Sequence, residues 1–227
     1  KYYGNLYMSL IYGEDVECVI CNEISNQAVI VSTNVFGSPD LDTRPPEMER
    51  SNIEYEIQRC PSCGYCSSDL SKCHENTKDI VDSQRYKTII ANDLLPEVAS
   101  SFLALSYEYE QNNQMGDSVW SAIHASWICD DEEILEASKN CRKQALSLID
   151  KAGSYEKLLS DQVGATEVIA IDLMRRVGMF SKGLKLVKST KVKDVDEVIF
   201  KVIDYEEKLI EMKDVESHTI SEALDEK

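Results

Sequence analysis

Arg59-Cys60-Pro61-Ser62-Cys63-Gly64-Tyr65 decides how this chain is read, and it pairs with an earlier Cys18-Val19-Ile20-Cys21. Two residues between cysteines allow a tight turn that aims both sulfurs at one ion. Backbone N–H groups inside such a turn can donate to the thiolates. Two such pairs supply the four sulfurs of a closed tetrahedral zinc site, so Cys18, Cys21, Cys60 and Cys63 are the expected metal ligands and Zn(2+) the expected cofactor. Iron in a four-sulfur site uses the same spacing and remains the alternative metal. Gly64 suits the left-handed conformation that closes the turn.

Working outward, Ala28–Phe36 is a β-branched, strand-like run, and Leu6, Met8, Leu10 and Ile11 mark a strand or a packing arm before the first cysteine pair. Gly37-Ser38-Pro39-Asp40 and Arg44-Pro45-Pro46-Glu47 indicate an irregular, mobile loop. Ile53, Tyr55 and Ile57 alternate with Glu54, Glu56 and Gln58, the period of a half-exposed strand leading into Cys60. Cysteine turn, strand, loop, strand, cysteine turn is the layout of a zinc ribbon. Apolar residues are few there, so metal–ligand bonds must supply much of the folding free energy.

Beyond the second pair the period becomes helical. Leu95, Val98, Phe102, Leu105 and Tyr109 form one stripe after Pro96, and Trp120, Ile123 and Trp127 form a second, both tryptophans being expected in the core. Asp130-Asp131-Glu132-Glu133 reads as acidic capping of a third helix bearing Ile134, Ala137, Cys141, Ala145 and Leu148, ended by Gly153. Further helices are expected over 163–177, 181–189 and 194–212, the last with a stripe of Val195, Val198, Val202, Tyr205, Leu209 and Met212. Gly178-Met179-Phe180-Ser181-Lys182-Gly183 is like the inter-helix turn of a tetratricopeptide repeat, and Gly116-Asp117 is like a degenerate copy of it. The expected fold is therefore α+β and mostly α: a zinc-ribbon domain with its N-terminal arm over 1–76, a tetratricopeptide-like helical array over 77–213, and a frayed acidic tail over 214–227.

The order Cys-x-x-Cys, long insert, Cys-Pro-x-Cys-Gly-Tyr, then Ala125-Ser126-Trp127-Ile128-Cys129-Asp130-Asp131, resembles a bacterial family of unknown function that joins a zinc ribbon to tetratricopeptide-like helices. The similarity runs from about Glu14 to about Asp214. It departs at Val19, where a proline is common, and at Cys66, where a small residue is usual. The resemblance implies fold and zinc and brings no activity with it.

Other chemistry has less support. Cys66 reads as a packing residue, and neither it nor Cys73 and His74 is expected to build a second metal site. Cys141 lies on an apolar stripe. His124 and His218 have no nucleophile motif beside them, and there is no P-loop or Rossmann fingerprint. Lys and Arg number 24 against 41 Asp and Glu, a net charge of −17 that repels phosphate backbones and opposes nucleic-acid binding. Eight cysteines, four in spaced pairs, fit a reducing compartment, and no run reaches membrane-spanning length. The expectation is a cytoplasmic, non-enzymatic zinc-binding scaffold whose helices bind another protein or peptide carrying a basic segment. Electron transfer or thiol redox chemistry at the ribbon is the alternative, with nucleic-acid binding behind it.

Overall fold

Among the described residues, strands are confined to the first third of the chain. In the computed structural model, which describes residues 10–225, β1 (Leu10–Glu17) and β2 (Ile24–Ser32) form an antiparallel hairpin with Ile11 opposite Ile30 and Glu17 opposite Ile24. Cys18–Cys21 forms its tip. Residues 1–9, which carry most of the expected N-terminal arm, lie outside the described residues. A second, two-residue hairpin pairs β3 (Gln58–Arg59) with β4 (Cys66–Ser67) around the other cysteine turn.

The expected strand over Ile53–Ile57 is instead a 3-10 helix, Arg50–Glu56. Ile53 and Ile57 are both buried and stand four residues apart, a spacing that serves a helical turn as well as a strand. The preceding loop is not loose. Asp40, Leu41, Asp42, Arg44 and Pro46 are buried in it.

Helices follow without interruption by strands: α1 (Thr77–Asp82), α2 (Gln84–Ile90), α3 (Glu97–Gln111), α4 (Met115–Asp131) and α5 (Leu135–Ala152). Then come α6 (Ala165–Arg176), α7 (Phe180–Thr190), α8 (Glu197–Glu211) and the short α9 (Ile220–Ala223). The chain is α+β and mostly helical, and none of its described helices is long and apolar enough to cross a membrane. Gly153 ends α5 with φ +73°, as its position in the sequence predicts.

One turn recurs. The helix ends at Asn113, Glu133, Gly178 and Lys213 each have φ between +55° and +78°. The next amide in each case reaches back five residues: Gln114 to Tyr109, Ile134 to Cys129, Met179 to Met174 and Asp214 to Leu209, at 2.8–2.9 Å. These bonds satisfy carbonyls that a helix end leaves open. In the α3–α4 loop the left-handed residue is therefore Asn113, whereas Gly116 lies inside α4. A Cβ on Gly116 would sit 2.4 Å from the Leu158 carbonyl oxygen, which is why a glycine is needed there.

Two apolar clusters meet at α6. The larger runs from the cysteine turns through Tyr86, Phe102 and Trp127 to Leu173, and the smaller joins Leu41 to Val168, Ile171, Val202 and Ile210. Residues 166–175 of α6 are buried without a break, so this helix is enclosed on all sides. On α8 the buried face is Ile199, Val202, Ile203, Glu206, Leu209 and Ile210. Val198 and Met212, expected there, are exposed. The stripe is rotated because Glu206 faces inward toward a charge on α6.

The C-terminal segment, expected to fray, is docked. Leu41 N–H donates to His218 O and Ile220 N–H to Pro39 O, both at 2.9 Å. Ser221 N–H donates to Ser38 Oγ, and Ser217 Oγ to Asp40 Oδ2. A capping box of Thr219 and Glu222 opens α9.

Candidate metal centre and the charged seam beside it

Both cysteine turns close in the same way. Asn22 N–H donates to Cys18 O at 2.8 Å with Asn22 at φ +60°, and Gly64 N–H donates to Cys60 O at 3.0 Å with Gly64 at φ +74°. The Gly64 conformation is the one its place after Cys63 predicts. Val19 N–H donates to Leu70 O at 2.9 Å and ties the tip of the first hairpin to the second. The four Sγ atoms of Cys18, Cys21, Cys60 and Cys63 lie within 4.8 Å of one another, with Cys18 to Cys63 at 3.7 Å and Cys21 to Cys60 at 3.5 Å.

Such a set can hold a metal ion. Its donors are all sulfur, which suits a soft or borderline ion in tetrahedral coordination. Burial raises the Cys18 and Cys63 thiols above the ordinary cysteine value. For Cys21 burial also raises, but hydrogen bonds from the Glu23 amide and the neighbouring thiols outweigh it and bring the group to about 7. Without a cation the cluster holds its protons unevenly, and a bound ion favours the thiolates throughout.

The remaining cysteines stand elsewhere. Cys66 is fully buried, its thiol donating to Gly64 O at 3.3 Å and its amide to Tyr86 Oη at 2.9 Å. Burial pushes that thiol up to about 11. Cys73 is exposed, and His74 Nδ1 lies 2.9 Å from the buried Glu108 carboxylate, which also accepts from Thr77 and Asn112. Cys129 and Cys141 are buried on the facing helices α4 and α5. Among the described residues, no other group of three or more His, Cys, Asp or Glu side chains comes together closely enough to hold an ion.

The acids after Trp127 do not cap α5, whose N-cap is Ile134 with no side-chain hydrogen bond. Asp130 and Asp131 instead join a charged seam, while Glu132 and Glu133 are exposed. Trp127 Nε1–H donates to Asp42 Oδ2 at 2.7 Å, Arg44 pairs with Asp131, and Asp130 accepts from Arg142 and, at 3.2 Å, from Arg176. Acids at a helix C-terminus oppose the helix dipole, and three guanidinium groups offset that cost. The seam is what seats the loop between the cysteine pairs on the helices. The sequence reading missed it because the partners stand on other elements: Arg142 on α5, Arg176 on α6 and Arg44 in the loop before α1.

The arginines between the cysteine pairs are similarly engaged. Arg44 is held by Asp131, Arg50 by Asp40 at 2.7 Å, and Arg59 by Ser100 Oγ and Ile90 O, so they form no continuous basic strip.

His124 lies one turn from Trp127 on α4, its ring stacked on the indole with centroids 4.7 Å apart and edge-on to Phe102 at 5.3 Å. Burial depresses it to about 4 from 6.5. The unfolded chain therefore takes up a proton between those values that the folded chain refuses, so stability present above pH 6.5 is lost as pH falls toward 4. Glu56 Oε2, at 3.8 Å from His124 Nδ1, titrates in the opposite sense, because burial and then Glu49 raise its carboxyl. His124→Gln is expected to remove up to about 3 kcal/mol of this acid sensitivity, read as the difference between wild-type and variant denaturation midpoints at each pH. Parallel curves would show that His124 is not the group responsible.

No curated protein and no solved structure matches the chain. Residues 11–219 match the family described as an uncharacterized protein conserved in bacteria (DUF2225), and with nearly the whole length covered the chain belongs to that family.

Proposed function

We propose that the protein is a non-enzymatic, zinc-stabilised scaffold that works in the cytoplasm and binds another protein through its helical surface. The observation that carries the zinc reading is the four-sulfur cluster, Cys18, Cys21, Cys60 and Cys63, drawn from two turns of matching geometry. Four thiolates fill a tetrahedral ion's coordination and leave no position for substrate or water, which favours a structural over a catalytic ion. Neither cysteine pair opens a helix, as a thioredoxin-type redox pair would, and this weighs against the redox alternative.

The partner reading rests on the helices. Four helix ends closed by one repeated turn favour a tetratricopeptide-like stack from α3 to α8, and such stacks present one extended face to a peptide. The net charge of −17 favours a basic segment on that peptide and disfavours nucleic acid.

The expected metal result is one zinc per chain by elemental analysis, with an X-ray absorption spectrum fitted by four sulfurs at about 2.3 Å. Iron as the bound metal, or oxygen in the first shell, would overturn the zinc assignment. The scaffold reading predicts that affinity capture recovers a protein whose retention falls when exposed helical acids are reversed to lysine. Tight, salt-sensitive RNA or DNA binding in its place would overturn it.

A further inference from the structure

A cleft of about 400 Å3 opens between α4 and the 3-10 turn over Arg50–Glu56. Trp120, His124 and Trp127, at one-turn spacing along α4, give it an aromatic side. Trp127 is buried and spends its N–H on Asp42, whereas Trp120 is half-buried and tilts toward His124 with centroids 6.2 Å apart. The other side carries Glu49 and Glu56.

Charge decides what fits. Arg44 and Arg50 also line the cleft, but Arg44 is neutralised by Asp131, and Arg50 by Asp40 with a further bond to Pro45 O at 2.9 Å. Among the described residues no lysine or arginine pairs with Glu49 or Glu56, and the one ion-pair contact of Glu56 is with His124 at 3.8 Å. Burial keeps that imidazole neutral down to about pH 4, so it offers a ring face and no positive charge. Besides burial, the charge of Glu49 raises the Glu56 carboxyl, and a cation beside the two would offset that repulsion.

We propose that this cleft binds a guanidinium group, stacked on the aromatic side at Trp120 and His124 and paired with Glu49 and Glu56. Guanidinium is planar and weakly hydrated, so it stacks on aromatic rings and presents paired N–H donors to carboxylates, where a compact, strongly hydrated ammonium does neither as well. The group can come from a free arginine-like molecule or from an arginine of a bound peptide. Only the second source rests on the scaffold reading.

The test titrates the full-length, metal-loaded protein with N-acetyl-arginine amide and with its uncharged analogue N-acetyl-citrulline amide, following the Trp120 indole by NMR. The arginine compound is expected to bind in the millimolar range and the citrulline compound at least ~10-fold more weakly. Glu56→Gln is expected to weaken the arginine compound roughly 3- to 10-fold and leave the citrulline compound unchanged, with circular dichroism showing an intact fold. Trp120→Leu is expected to weaken the arginine compound by a similar factor, read there from the His124 ring. A glycine-flanked arginine hexapeptide that binds tighter than the amide assigns the source to a peptide, and equal binding assigns it to a free cation. Equal affinity for the two amides, or no response at Trp120 up to about 50 mM, overturns the proposal. Binding of the amide with no basic protein recovered by affinity capture would remove the scaffold reading and leave this site standing.

Discussion

If the four-sulfur cluster holds the proposed zinc, Cys60→Ser is expected to reduce the bound metal to below about a tenth of an ion per chain and to abolish hydrogen-exchange protection around both cysteine turns. Cys60 is buried, and its sulfur lies 3.5 Å from that of Cys21, so the substitution removes one of four donors from the point where the two hairpins meet. Besides that cluster, the first hairpin is held by the Val19 N–H bond to Leu70 O, just past β4, and by a Gln27 side-chain bond to Arg59 O. Most of the first hairpin is exposed and has little apolar area with which to hold itself in place. Free energies of ion binding in small zinc folds reach about 10 kcal/mol or more, larger than any other single contribution available to this region. Loss should extend to α1 and α2, because Tyr86 receives the Cys66 amide and bonds to Gly64 beside the cluster. Helices α4 to α8 should keep their helical circular dichroism. Cys66→Ser, at a thiol outside the four-sulfur set, should retain full metal. A Cys60→Ser protein with one equivalent of zinc and protected hairpins would show that the four-thiolate assignment is wrong.

The second large effect lies at the far end of the molecule. Arg175 has no exposed surface, and it bonds Asp172 at 2.6 Å, Glu206 at 2.8 Å, and the backbone oxygens of Asp214 at 3.1 Å and Glu216 at 2.8 Å. One guanidinium thus serves two buried carboxyls and anchors the C-terminal segment. Burial, and then the charge of Asp172, raises Glu206 well above the ordinary carboxylate value. Asp172 Oδ2 and Glu206 Oε1 lack other partners, which fits a proton carried by Glu206 and shared between them. Arg175→Met is expected to cost about 3–5 kcal/mol, because it leaves a buried carboxylate uncompensated and releases the strap over residues 214–225. Glu206→Gln keeps the shape and a donor, and is expected to change stability at low pH by less than about 1 kcal/mol. The sign of its pH dependence follows from the raised carboxyl. The wild-type contribution is complete below the unfolded value of 4.5 and is lost as pH rises through the folded one, so Glu206→Gln should gain on wild type as pH rises. Denaturant midpoints across pH measure both, and an Arg175→Met loss under about 1 kcal/mol would show that the ion cluster is not structural.

The amino-acid sequence was sufficient wherever the deciding interaction is local. Cysteine spacing, Gly64 and Gly153 each report a turn closed within five residues, and long apolar stripes located α3, α4 and α5. It was ambiguous where two local readings fit equally, as with Ile53 and Ile57, whose spacing suits a strand or a tight helix until α4 provides a surface to pack on. It was silent where a residue's meaning depends on a distant charge. Asp130 and Asp131 read as caps because acids favour helix starts, yet they end α4, where Arg142, Arg176 and Arg44 hold them. The loop at 38–46 and the tail after 213 look mobile in isolation, since neither carries a long apolar run. Tertiary structure fixes each against the other and against buried arginines, because a buried charge must be paired and the partner is found by folding, at a separation no local pattern records.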